Sequence, residues 1–208
     1  MTQTAHKKKF KICLVSISLA KGGAERSVAM LSQMLSSLGH QVHIVVLNNE
    51  IDFKYKGTLF NLGTLKPKDD HFLARLTRFK KLRRYLKIQA FDVVIDHRPK
   101  NEYFRELFYA TYIYRNLSAI YVVHSSKKQE YFTKMATKMA AIYNTQLATV
   151  TVSSHIEQHV AKTSGVINCS TIHNAYNPAW KQETSIDDLP ATNYILSYGR
   201  LYDGIKDF

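Results

Sequence analysis

Cysteine is scarce, with only Cys13 and Cys169 in 208 residues. Both stand in apolar, strand-like runs, a setting for small core residues rather than for a disulfide or a metal set. A reducing, cytoplasmic location is therefore expected. No apolar run approaches the ~20 residues that a membrane-spanning helix needs. The opening MTQTAHKKKF carries positive charge, but the apolar residues behind it are claimed by a strand, so no signal peptide is expected. No Asp-x-Asp cluster suggests a metal site, and none is expected. The dinucleotide fingerprint Gly-x-Gly-x-x-Gly is missing too, because Ala24, Glu25 and Arg26 fill the space its third glycine needs. Acidic residues are also few, 16 against 29 Lys and Arg, for a net charge of +13. An excess of that size calls for an anionic partner: nucleic acid, a membrane surface or a phosphorylated substrate. What these absences leave is a soluble globular chain with room for one full core and the start of something else.

What is present begins with Phe10 to Leu47. Ile12, Cys13, Leu14, Val15 and Ile17 form a short run of the kind a parallel sheet buries on both faces. Lys21-Gly22-Gly23 breaks it, and Glu25 to Leu38 places Val28, Leu31, Leu35 and Leu38 at helical spacing. Gly39 ends that helix as a C′ glycine, and Val42 to Leu47 is again apolar and β-branched. The pattern predicts a βαβ unit, whose first strand-to-helix loop is where an open α/β sheet presents ligands.

The alternation continues. Ile51 to Gly63 predicts a short strand or hairpin region. Between Lys66 and Lys87 a basic helix follows, with Phe72, Leu73, Leu76, Phe79, Leu82 and Leu86 as one apolar stripe and Arg75, Arg78, Lys81, Arg83, Arg84 and Lys87 largely off it. A crossover helix with a solvated basic face is the plainer reading of this stretch, and a dedicated membrane contact the sharper one. Strands are expected at Phe91–Asp96, Ala119–Ser125, Ala148–Val152 and Ser170–Asn174. Helical segments are expected within His97–Asn116, over Lys127–Tyr143 and over Ile156–Lys162, the last with Ser154 as N-cap and Glu157 closing a capping box. The prediction is an α/β fold, a doubly wound parallel sheet. Asn177 to Asn193 is polar and without periodicity, which predicts a connector between domain 1–176 and a new strand and turn over 194–208.

Five segments, in order, carry a resemblance: KGGAER after the first strand, YVVHS, TVSS, IHNAYNP and ILSYGRLYDGIKDF. They resemble glycosyltransferase family 4, retaining enzymes of the GT-B fold that use a nucleotide-sugar and face two Rossmann-like domains across a cleft. The resemblance implies an N-terminal, acceptor-side domain followed by the first strand and turn of the donor-binding domain. IHNAYNP departs from the Asn-Gly-Ile/Val-Asp type of sequence usual there, and the Glu-x7-Glu pattern of the donor site is absent. A chain truncated inside its second domain, and inactive alone, is therefore expected.

Each motif has its own chemistry. Gly22 and Gly23 let backbone N–H groups approach an anion at a helix N-terminus, with Glu25 in the first turn; the bland alternative is a plain tight turn. His124 ends an apolar strand, where sheets of this class put ligand contacts, and His97 ends another. Arg200 and Lys206 follow a strand and a glycine turn, six residues apart, a spacing that suits two cations on one diphosphate; a basic surface turn is the alternative. The resemblance implies that His124 orients the reacting sugar, that Gly22, Gly23, Arg200 and Lys206 contact the donor diphosphate, and that Glu25, His97 and Asn174 line the acceptor side of the cleft. No cofactor is implied beyond the nucleotide-sugar substrate. Fixed cations would stabilise charge developing on the leaving diphosphate, which removes the need for a metal. The implied acceptor is a glycan or glycolipid of lipopolysaccharide, capsule or another cell-surface polymer, reached at an anionic membrane. The competing readings are a basic nucleic-acid- or membrane-binding module without catalysis and a Rossmann oxidoreductase, which the missing fingerprint disfavours.

Overall fold

The computed structural model describes residues 8–67 and 71–176. Seven strands form one all-parallel sheet: β1 Lys11–Ser16, β2 Gln41–Val46, β3 Thr58–Asn61, β4 Val93–Asp96, β5 Ala119–Val123, β6 Ala148–Thr151 and β7 Cys169–Thr171. Their spatial order is β3-β2-β1-β4-β5-β6-β7. Ile12 pairs with Val42 on one side and with Val93 on the other, so the first strand made is the central one. Its apolar run is buried on both faces, as a central parallel strand requires.

The helices are α1 Gly23–Ser37, α2 Phe72–Gln89, α3 Tyr103–Phe108, which runs on as a π-helix over Tyr109–Ile113, α4 Lys128–Tyr131, α5 Ala136–Asn144 and α6 Ser154–Ile156. The last runs on as a π-helix over Glu157–Ala161 and a 3₁₀ turn over Lys162–Ser164, covering the helix expected over Ile156–Lys162. From β1 to β3 the chain steps toward one edge, and from β3 to β7 it steps toward the other. Right-handed crossovers then put α1 on one face and α2 to α6 on the opposite face. Alternation along β1 divides the core accordingly. Ile12 and Leu14 pack with Val28 and Ala29 of α1, whereas Cys13 and Val15 share a second cluster with Leu82, Leu86, Met139 and Tyr143. This is the predicted doubly wound, Rossmann-like sheet.

Gly39 has φ +84° and stands where the sequence put it. The Gly39 and His40 N–H groups donate to Ser36 and Leu35 carbonyls, a Schellman closure of α1. Other expectations are corrected. The single helix over Lys127–Tyr143 is two helices, α4 and α5, parted where Thr133 takes a left-handed φ of 53°. Ser153, not Ser154, caps α6, accepting from the Ile156 N–H at 3.3 Å. Glu157 does not close a capping box but binds Thr171 and Lys162. In α2, Leu82 and Leu86 are buried, while Leu73 leaves the expected stripe with 67% exposure. The stretch 51–63 yields one short parallel edge strand, β3, and no hairpin.

By compactness the chain divides into Met1–Ala175 and Tyr176–Phe208. The expected connector 177–193, the strand and turn over 194–208, and with them Arg200 and Lys206, lie outside the described residues.

Candidate functional site

Strand order reverses at β1: connections run one way to β2 and β3, then return to β4. The crevice beyond the carboxyl ends of β1 and β4 is where an open sheet of this kind takes its ligand. Two loops flank it, Ile17–Gly22 after β1 and His97–Glu102 after β4. The first is tied to the segment after β2 by Leu19 N–H to the Glu50 carbonyl and Asn48 N–H to the Ile17 carbonyl. Lys21 there adopts φ 62°, and Gly22, buried and donating its N–H to the Ala20 carbonyl at 2.7 Å, is the N-cap of α1. Among the described residues nothing lies within 4 Å of the place a Gly23 Cβ would occupy, so the backbone at Gly23 leaves room for an approaching group.

The second loop rests on a charge cluster that the sequence reading missed. Arg98 donates from Nε and Nη2 to the two Asp96 carboxylate oxygens at 3.1 and 2.7 Å, and from Nη2 to Glu106 at 3.1 Å. Lys100 Nζ donates to the Asp96 and Arg98 carbonyls at 3.2 and 2.9 Å and stands 3.9 Å from the Asp96 carboxylate. All four side chains are buried, and two carboxylates face two cations. Tyrosines wall them in: Arg98 lies 3.5 Å over the Tyr109 ring and Lys100 4.5 Å over Tyr121. Burial by itself raises the Asp96 carboxyl, but Arg98 and Lys100 together outweigh it and hold the group below the ordinary carboxylate range. Burial also pulls Lys100 down, to about 8, against the opposing pull of Asp96. The sequence signal was DHRPK: four ionisable residues straight after a buried strand.

This cluster faces the helices α2 to α6, and His97, one residue on from Asp96, faces the other way. Its N–H donates to the Val15 carbonyl at 2.9 Å, fixing the loop to β1. Its Nδ1 lies 2.9 Å from Nε2 of His124, beyond the end of β5. One ring must donate and the other accept, which excludes two protonated rings. Burial first, and then the Lys100 cation, depress His124 to about 4. Burial and His124 keep His97 well below its usual value as well, with Asp96 opposing them. The dyad is thus a hydrogen-bonding device at neutral pH rather than a charged one.

A cavity of about 240 Å³ opens beside the dyad, between α1 and the sheet. His97, His124 and Asn174 all line it, and Asn174 accepts a hydrogen bond from Ser27 of α1 at 2.8 Å. The structure therefore brings three of the expected residues together. Gly22, Gly23 and Glu25 belong to the first turn of α1 and its cap, outside the cavity lining. Ser27 and His173 line the cavity without having been expected there. Among the described residues no group of three or more His, Cys, Asp or Glu side chains is arranged to hold a metal ion.

The family model for Glycosyltransferase Family 4 matches residues 21–180. The chain belongs to glycosyltransferase family 4. No curated protein matches it. Two solved structures are similar to this family 4 chain. One is the apo form of the lipopolysaccharide outer core galactosyltransferase WaaB, at 15% identity and TM-score 0.48, the match covering 80% of this chain and 46% of that one. The other is a glycosyltransferase from Rickettsia africae ESF-5, at 12% identity and TM-score 0.45, covering 80% and 43%. The chain spans less than half the length of either. The family match takes in the end of the first crevice loop from Lys21, the whole of the second, and both histidines of the dyad.

Proposed function

We propose that this protein transfers a sugar from a nucleotide-sugar to an acceptor hydroxyl with retention of configuration, the described sheet forming the acceptor-side half of a GT-B fold. The observation that carries the reading is the neutral His97–His124 pair at the carboxyl edge of the sheet, beside the switch point, in a chain of family 4. In this reading His124 orients the reacting sugar by hydrogen bonding, and His97 fixes the His124 ring. Gly22 and Gly23 lie against the diphosphate at the start of α1, where the Gly23 amide can meet it. Arg200 and Lys206 supply the cations that stabilise charge developing on the leaving diphosphate. That diphosphate helps to deprotonate the acceptor on the same face of the sugar. No carboxylate pair of the glycosidase kind is then required, nor a metal. Glu25 and Asn174 complete the acceptor side.

The acceptor we infer is a cell-surface glycan or glycolipid met at the cytoplasmic face of a membrane. The net charge of +13 and the exposed Lys80, Lys81, Arg84 and Lys87 of α2 favour an anionic surface there. No helix among the described residues is long and apolar enough to cross a membrane.

The test is release of nucleoside diphosphate from a panel of nucleotide-sugars by the protein carrying a complete donor-binding domain, since the 208 residues alone are expected to be inactive. His124→Asn is expected to lower kcat by about 10²–10³, the usual loss for one transition-state hydrogen bond. Nucleotide affinity should stay within a few-fold. Equal turnover by the variant, or no turnover of any donor, refutes the proposal.

A further inference from the structure

The cavity beside the dyad has a polar end and an apolar end. On β5, residues 120, 122 and 124 point to one face, as do 95 and 97 on β4 and 150 and 152 on β6. Register puts Ile95 beside Ile120, and Val122 beside Val150. The floor is thus layered: Ile95 and Ile120 deepest, His97 level with Val122 and Val150 next, then His124 and Val152 at the carboxyl edge. Leu31 and Met34 of α1 roof the apolar layers, and Ser27 and Asn174 close the polar rim. From His124 back to Ile120 is four residues, about 13 Å of strand at ~3.3 Å each.

Two facts call for an occupant. Nε2 of His97 is buried and, among the described residues, finds no hydrogen-bond partner; such an orphan in an apolar wall costs roughly 1–3 kcal/mol until something binds it. Apart from His97, His124, His173, Ser27 and Asn174 the lining is apolar, and apolar layers of this kind stay dry. A 150 Å³ cavity holds benzene, so ~240 Å³ holds roughly ten carbons by proportion. Water alone would leave the aliphatic layers unsatisfied, and a free sugar would bury its hydroxyls against them without partners.

We propose that this cavity takes an unbranched alkyl or acyl chain of about eight to ten carbons, whose hydroxylated head sits at His97 and His124. The occupant is an amphiphile. This deepens the glycosyltransferase reading, on which it rests for the nature of the head group: the acceptor is recognised through its lipid part, and the chain sets how deep the head descends toward the dyad. Because α1 both roofs the chain and begins at the Gly22–Gly23 loop, one helix indexes the acceptor and the donor loop to each other.

The experiment is binding of n-alkyl β-glucosides, butyl to dodecyl and below their micelle thresholds, to the intact protein by calorimetry and ¹⁵N-histidine NMR. Affinity is expected to climb up to about fourfold per methylene, the equivalent of ~0.8 kcal/mol, and to level off near ten carbons. The His97 Nε2 resonance should move as it gains a partner. Val150→Phe and, separately, Val152→Trp fill the apolar layers and should flatten the climb. Either variant that keeps a cooperative unfolding transition decides the point; contacts from the alkyl chain to Ile95 and Ile120 methyls decide it in the wild type alone. Affinity independent of chain length overturns the proposal, and would follow if another stretch of polypeptide or a second protein filled the cavity. An equal climb in a folded filled variant also overturns it. Chain-length-dependent binding without turnover of any nucleotide-sugar would sink the glycosyltransferase reading and leave this site standing. Turnover with no chain-length effect on binding or KM would do the reverse.

Discussion

Replacing Arg98 by Met tests whether the buried ion cluster holds the crevice loop. The guanidinium makes two bonds to Asp96, at 3.1 and 2.7 Å, and one to Glu106 at 3.1 Å, with its side chain 1% exposed and both carboxylates fully covered. Taking one partner from a buried ionic cluster costs ~3–5 kcal/mol, because the remaining charge stays desolvated. Two carboxylates lose a partner here, which pushes the cost up. Lys100 remains 3.9 Å from Asp96 and Arg105 2.9 Å from Glu106, which pulls it down. The expected loss is therefore about 4 kcal/mol, a large share of the 5–15 kcal/mol that folded domains possess. At an m-value of ~2 kcal/mol/M the urea midpoint of the intact protein should fall by about 2 M, read by circular dichroism. Arg105→Met is the control. Its side chain is 36% exposed, and partly solvated pairs contribute less than about 1 kcal/mol. If Arg98→Met stays within 1 kcal/mol of wild type, or Arg105→Met costs as much, the reasoning is wrong.

Acid should weaken the fold through the histidine pair. His124 is depressed to about 4, so the unfolded chain takes up a proton near the ordinary 6.5 while the folded one resists until about 4, and stability is lost between those values as pH falls. The gap of about 2.5 units, at 1.36 kcal/mol each, sets a ceiling near 3 kcal/mol; with His97 bonded to the ring and the Lys100 cation acting on it, about 2 kcal/mol is expected. The stability difference between wild type and His124→Gln should shrink by that amount from pH 7 to 4.5, and a constant difference would contradict it. Vesicles containing anionic lipid should retain the intact protein better than neutral ones, and the preference should vanish near 1 M salt, where screening acts over ~3 Å; equal retention at low salt refutes the membrane contact.

Much of the fold was legible because local and global signals agreed. Val28, Leu31 and Leu35 gave the face of α1, Gly39 its end, and the short apolar, β-branched runs gave the sheet. The breaks were less legible. Nothing in KKQEYFTKMATKM flags the parting of α4 from α5, because Thr133 is held left-handed by tertiary context rather than by glycine or proline. Choosing between Ser153 and Ser154 as the cap depends on which residue is still extended when the helix begins, and Ser153 is, at φ −154° and ψ 154°. In the site, His97 and His124 were readable from their places at strand ends. Their 2.9 Å contact was not, because it depends on β4 and β5 lying side by side. The buried Asp96–Arg98–Lys100–Glu106 cluster was the least readable, since charged residues are ordinarily solvated.

The central place of β1 has a consequence for how the chain acquires its structure. The strand's partner β2 arrives after one helix, but its other neighbour does not: Lys11 N–H bonds the Asp92 side chain across 81 residues. A folding chain can close the β1–α1–β2 hairpin-like crossover early and must then wait for a long loop to return before the hydrophobic middle strand is covered on its second edge. Parallel pairings over such separations are slow to form and exposed to aggregation meanwhile. On a ribosome, the segment that ends up most protected is the one left half-paired longest, until α2 and β4 have emerged to close the sheet over it.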